Sequence, residues 1–173
     1  ATGVKPRARV RAIPDEIKRE QNLPPMSGKA VVVLHGLFAS PGNMKHMARF
    51  LSEQGYVVFN VTYPTTRAPI SEHAESLGKV IASLEGIEEI NFVAHSMGNL
   101  VLRHYLADHT CATTGQQPDR RIKRIVMLGP PNNGAQLAEA FGSLDVFPKV
   151  VGPAGPQLGR EWQELAPHLA TPA

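Results

Sequence analysis

Ser96 stands in the run Ala94-His95-Ser96-Met97-Gly98, between the apolar segment INFVA at 90–94 and a stretch of helical pattern over about 97–109. A serine hydroxyl is a weak nucleophile until something holds it out and activates it. A strand that breaks sharply into a helix does the holding. The residue at such a bend is forced into an unfavourable backbone geometry, and its side chain is lifted above the sheet. The bend admits only small residues two positions to either side. Ala94 and Gly98 meet that demand, alanine adding one methyl group to the usual G-x-S-x-G pattern. The helix that follows aims its first amides at the space beside the hydroxyl. The Met97 N–H is therefore a candidate donor to an oxyanion, aided by the helix dipole.

A second donor has to come from another strand end. His35-Gly36-Leu37-Phe38 follows the apolar run at 31–34 and offers one, because Gly36 lets the chain turn so that the Leu37 N–H faces the same point. Two such amides could hold the charge of a tetrahedral intermediate, and losing one typically costs about 3–4 kcal/mol of transition-state stabilisation. His35 reads as a brace for its own loop and His95 as a packing residue. Leu37 and Met97 would act through their backbone, their side chains at most lining a pocket.

These residues need elements to carry them. KAVVVLHG at 29–36 reads as a strand buried on both faces, and strands follow at 56–61, 90–94 and 122–129. Helical spacing places Met44, Met47, Ala48 and Leu51 on one face, with Asn43 as N-cap and Gly55 as stop. It does the same for Ala74, Leu77, Ile81 and Leu84 in a helix over about 71–84, with Ser71 as N-cap. Further helices are expected over 132–142 and 161–169, and a short one at 15–20. VFPKVVGPAGPQLG between them is too broken by Pro and Gly for a regular element. The order β-α-β-α-β-α-β implies an α/β domain, a mostly parallel sheet with helices on both faces, whose working site lies at the carboxyl ends of the strands. The expected divisions are a lead-in arm at 1–28, a core at 29–142, and a Pro/Gly-rich tail or lid-like segment at 143–173.

Composition bounds the functions. The 173 residues suit one domain or part of one. A net charge of +3 and aromatics at 6% offer neither a nucleic-acid footprint nor a base-stacking surface, so no nucleic acid is expected as partner. The basic run KPRARVR at 5–11 reads as a solvated arm. A single cysteine, Cys111, leaves no internal disulfide and fits a cytoplasmic protein or a secreted one. No run reaches a membrane span and no signal peptide is evident, so a soluble protein is expected.

LHGLFAS at 34–40, AHSMGN at 94–99 and MLGPPNNG at 127–134 together resemble the α/β-hydrolase fold, specifically its bacterial lipases and esterases. The resemblance covers about 30–142. It implies a carboxylic ester hydrolase acting through an acyl-enzyme on Ser96, with Leu37 and Met97 as oxyanion donors and an ester or lipid as substrate. No metal or cofactor is implied. Position alone adds Phe38, Met97, Leu137 and Phe141 as an acyl pocket.

In that family an acid and then a histidine follow the serine on later strands and loops. Here the strand at 122–129 ends in Gly129-Pro130-Pro131-Asn132, and beyond it stand Asp145, Glu161, Glu164 and His168, none after a recognisable strand. The carboxylates read as solvated and His168 as an exposed tail residue. The sheet therefore reads as lacking its C-terminal strands. Either these residues are a truncated or ordered part of a longer chain, or a second polypeptide segment completes the sheet; the avoidance of open apolar edges in natural sheets favours the partner segment. Two other readings keep the same residues: a non-catalytic binding module of this fold, and an acyltransferase using the same nucleophile.

Overall fold

The structure, a computed structural model, describes residues 28–110, 119–132, 152–159 and 161–170. The basic arm, the helix expected at 15–20, Cys111, Asp145, Leu137, Phe141 and nearly all of the helix expected over 132–142 lie outside them.

Four strands form one parallel sheet: β1 (Gly28–Leu34), β2 (Val57–Asn60), β3 (Ile87–His95) and β4 (Ile122–Leu128), in the order β2-β1-β3-β4. The continuous apolar run of β1 is explained by its place. It lies between two strands under helices on both faces, and residues 30–34 are each at most 2% exposed. β1 and β3 pair in register from Lys29↔Glu89 to Leu34↔Ala94, so they end side by side at the same rim.

Helix α1 (Lys45–Glu53), entered through a 3-10 turn at Pro41–Met44, covers one face, where Met44 and Leu51 meet Val31, Val33 and Val93. Helices α2 (Ile70–Ala82) and α3 (Met97–Thr110) cover the other. Ala74, Leu77 and Ile81 from the first of these, and Leu84 just past its end, pack with Val32, Phe92 and Leu100 in the main core, as their spacing predicts.

The helix starts differ from expectation in an informative way. Asn43 is not an N-cap. It sits inside the 3-10 turn, and its Oδ1 accepts from the Ser40 N–H at 2.9 Å. Ser71 is not a cap either, since α2 begins at Ile70 after an extended Pro69. The orphan Ile70 amide donates 2.8 Å to Oε1 of Gln157, a residue 87 positions away.

Gln157 belongs to α4 (Ala154–Gln157), a short helix inside the stretch expected to hold no regular element. Pro153 and Pro156 are tolerated because a one-turn helix asks for few backbone donors. α5 (Trp162–Leu165) and a 3-10 turn at Ala166–His168 follow. Ala154, Leu158, Leu165 and Leu169 are buried in the main core, and Arg103 and Ala170 exchange two hydrogen bonds, Nε to O at 2.7 Å and N to O at 3.1 Å. The described part of the stretch read as tail or lid is thus seated on the domain.

β4 is the least covered strand. No described residue pairs with its outer edge, and Val126, on the same face as Val93, is 49% exposed. Core and edge substitutions should separate cleanly. Phe92→Ala, at a fully buried position, should cost about 3–5 kcal/mol. Val126→Thr should stay within about 0.5 kcal/mol. Urea denaturation read by circular dichroism checks both.

Candidate active site

Ser96 lies one residue past β3 and one before α3, and its φ is +51°. Only two described non-glycine residues have positive φ, Ser96 and Phe38 (φ +55°), and both stand on the carboxyl rim of the sheet. Left-handed backbone is costly for L-residues, so the surroundings must impose it.

They do so at several points. The Ser96 N–H donates 2.9 Å to the Leu128 carbonyl at the end of β4, and the Ser96 carbonyl accepts from the Asn99 N–H at 3.0 Å. The Asn99 side chain, wholly buried, donates from Nδ2 to the carbonyls of Ser96 (3.0 Å) and Leu128 (3.2 Å). One amide thus ties the bend to the neighbouring strand.

Close packing does the rest. A Cβ on Gly98 would stand 2.9 Å from the Leu34 Cβ and carbonyl oxygen and 3.0 Å from the His35 carbonyl. A Cβ on Gly36 would stand 2.9 Å from the Ser96 Cβ and 3.2 Å from His95 Nδ1. The His-Gly turn after β1 and the serine turn after β3 therefore touch, as the chemistry proposed for them requires. Ala94, at the other small position, is fully buried.

Ser96 is partly exposed. Leu37 is half-buried against the main core, Phe38 is 53% exposed, and the Met97 side chain is wholly buried. Met97 as a whole is 0% exposed, so its side chain, expected among the pocket-lining residues, belongs to the main core. His35 is buried as a brace should be: its Nδ1 lies 3.1 Å from the Gly36 carbonyl and its ring stacks on Tyr63 at 4.4 Å. His95 is not the packing residue expected. β3 runs one residue further than the sequence pattern predicts and turns this side chain out to solvent.

Among the described residues no histidine is hydrogen-bonded to the Ser96 hydroxyl. His168 is exposed, as expected, and its ring lies 5.9 Å from that of His104, eight residues along α3 from Ser96, or roughly 12 Å of helix. Glu164 is exposed and Glu161 half-buried. The described residues hold no cluster of three His, Cys, Asp or Glu side chains suited to a metal ion. No described helix is long and apolar enough to cross a membrane.

What sequence reasoning missed is the polar layer under the rim. Tyr63 stacks on His35 and meets His73 edge-on at 5.2 Å, and all three are at most 6% exposed. Burial pushes both histidines below their usual range, His73 to about 4, and raises Tyr63. Nε2 of each histidine has no hydrogen-bond partner among the described residues. Both are thus neutral at pH 7. The isolated Tyr63 in a Pro-rich loop gave no pattern to find it by.

A parallel sheet with its bend at the end of the third strand in sequence, covered on both faces, is the α/β-hydrolase fold, and solved structures bear this out. The chain is similar to a mature lipase from Bacillus licheniformis (TM-score 0.58, 20% identity, 78% of this chain and 56% of that one). It is similar also to a phospholipase from Legionella pneumophila (0.61, 15%, 81% and 33%) and to an extracellular α/β-hydrolase from a Paenibacillus species (0.51, 18%, 69% and 51%). It spans about half or less of the length of each of these. At such identities the likeness shows the fold. The chain itself belongs to the family described as a domain of unknown function, DUF7379, whose model matches residues 5–145. No curated protein matches it in sequence.

Two outcomes are expected. Gly98→Ala forces the first turn of α3 off the end of β1, and should lower the melting temperature by several degrees in a thermal scan. His73 binds a proton in the unfolded chain below pH 6.5 but in the folded one only near 4, so its contribution is complete above 6.5 and lost as pH falls toward 4. Melting midpoints should drop across that window, and His73→Gln should flatten the slope.

Proposed function

We propose that this domain carries the nucleophile of a serine ester hydrolase of lipase or esterase type. Ser96, strained on the bend between β3 and α3 and touching the Gly36 turn, is the observation that carries the reading. The Ser96 Oγ attacks the acyl carbonyl and its proton passes to a histidine. The carbonyl oxygen takes the negative charge, held by the Leu37 and Met97 amides. Collapse expels the alcohol, which takes the proton from the histidine. Water then attacks the acyl-enzyme, releasing the acid and restoring the hydroxyl. The steps require no metal or cofactor.

The histidine and its acid are supplied from outside the described residues. The edge of β4 with which no described residue pairs, and the half-bare Val126, support a further strand seated there, from this polypeptide or a second one. Phe38, bulky and 53% exposed at the rim, supports an apolar acyl pocket, to which Leu137 and Phe141 would add. The lipase, phospholipase and α/β-hydrolase among the similar structures favour an ester or lipid as substrate. An acyltransferase would differ only in the group that takes the acyl chain, and the non-catalytic binding module is what the absence of labelling below would favour.

A fluorophosphonate probe on the full-length protein tests the proposal. The wild type should label at Ser96, and Ser96→Ala should abolish labelling and cut hydrolysis of p-nitrophenyl butyrate by roughly 10⁴- to 10⁶-fold. Labelling that survives Ser96→Ala, or a wild type that neither labels nor turns over, would sink it.

A further inference from the structure

The loop after β2 reaches up to the His-Gly turn at two points. The Tyr63 hydroxyl donates to the His35 carbonyl. The Thr65 Oγ1 accepts from the Phe38 N–H at 3.2 Å. One contact falls before Gly36-Leu37 and the other just after, so the pair brackets the Leu37 amide. A third bond, Ala39 N–H to the Gly36 carbonyl at 3.2 Å, closes the turn between them.

We propose that Tyr63 and Thr65 are positioning residues that set the direction of the Leu37 N–H toward the oxyanion. The inference rests on the hydrolase reading above and adds to it the side chains that orient one of its two donors.

The bland alternative is that a buried hydroxyl has found the nearest acceptor. Three features speak for more. The His35 carbonyl is also one of the three atoms, with the Leu34 Cβ and carbonyl oxygen, that crowd Gly98, so Tyr63 fixes a peptide already wedged between β1 and α3. Phe38 is one of the two strained residues of the rim, and Thr65 holds the very amide whose φ is +55°. Both side chains are buried, Tyr63 and Thr65 each at 6% exposure, and Tyr63 is locked by rings on two sides. Burial keeps the Tyr63 hydroxyl protonated, hence a donor, throughout the neutral range.

Conservative variants in the full-length protein separate orientation from folding. Tyr63→Phe keeps the ring stack and removes only the donor. Thr65→Val keeps the shape and removes only the acceptor, and Thr65→Ser restores it. Misaligning an oxyanion donor weakens the transition state and not the ground state. Tyr63→Phe and Thr65→Val should therefore each lower kcat on p-nitrophenyl butyrate by roughly ten- to a hundredfold with KM within about twofold. Both should slow fluorophosphonate labelling in proportion, while Thr65→Ser should stay within about threefold of wild type. Amide exchange over residues 36–39 should quicken in the two damaging variants.

If Tyr63→Phe fails to fold, the Val and Ser variants at 65 decide alone. With a wild type that labels at Ser96, unchanged kcat and labelling in Thr65→Val overturn the inference and leave the hydrolase reading standing. A wild type that does not label overturns both.

Discussion

The arrangement depends on one near-contact: the turn after β1 lies against the turn after β3 with no room for a side chain between them. Register makes this possible. Leu34 and Ala94 are partners, so two neighbouring parallel strands stop at the same height and their exits collide unless both are stripped to glycine. Gly36 clears the space against Ser96, and Gly98 clears it against Leu34 and His35. A larger residue at either position would push apart the two backbone segments whose amides are proposed to meet at one oxygen atom. Positioning here is a consequence of crowding, and the interior of a protein is dense enough for one methyl group to matter.

Crowding alone does not fix a peptide's rotation, and polar contacts complete the task from below. Asn99 ties the serine bend to β4. Tyr63 and Thr65 hold the other turn, and the loop that carries them is itself supported. Gln157 caps Ile70 at the far end of that loop, and a side chain on Gly152 would overlap the Thr66 carbonyl. The segment at 152–170 thus stands in a chain of support, through the loop after β2, for the rim of the sheet. Its Pro/Gly content gives no hint of that. The His35, Tyr63 and His73 rings in between, the first pair stacked and the second edge-on, are neutral at pH 7, which lets them be buried without a countercharge.

How much of this could be read from the residues alone differs by level. Strands and helices declared themselves because their signal is local: β-branched runs for β1 and β3, a stripe of Ala74, Leu77 and Ile81 for α2. The bend at Ser96 was readable because it combines a strand, a small-residue frame and a helix within ten positions. The caps were misread because the true partner of Ile70 is Gln157, and no local rule reaches 87 residues. His95 was misread because it is the last residue of β3, where the covering helices no longer shield a side chain from solvent. α4 was missed because Pro and Gly argue against a long helix but not against one turn packed on a core. Tyr63 and Thr65 were missed because their role lies in two contacts to another loop, which leave no periodicity.

The strain at the rim also says where the fold can tolerate it. Left-handed backbone at a non-glycine residue costs on the order of 1–3 kcal/mol, and two instances are a sizeable share of a domain's marginal stability. Ser96 directly follows β3 and Phe38 lies four residues past β1, in the turn that packs against it, so both hang from the most deeply buried strands. β1 and β3 are locked by apolar contacts on two faces, so they can hold an unfavourable φ that a loosely packed segment would relax. The same argument explains why β4, half-bare and with no described partner on its outer side, contributes only a carbonyl to the site, from Leu128, and carries no strained non-glycine residue of its own. The two strained residues are themselves partly exposed at the rim, but each is anchored to a strand covered on both faces, and that anchoring is what β4 lacks.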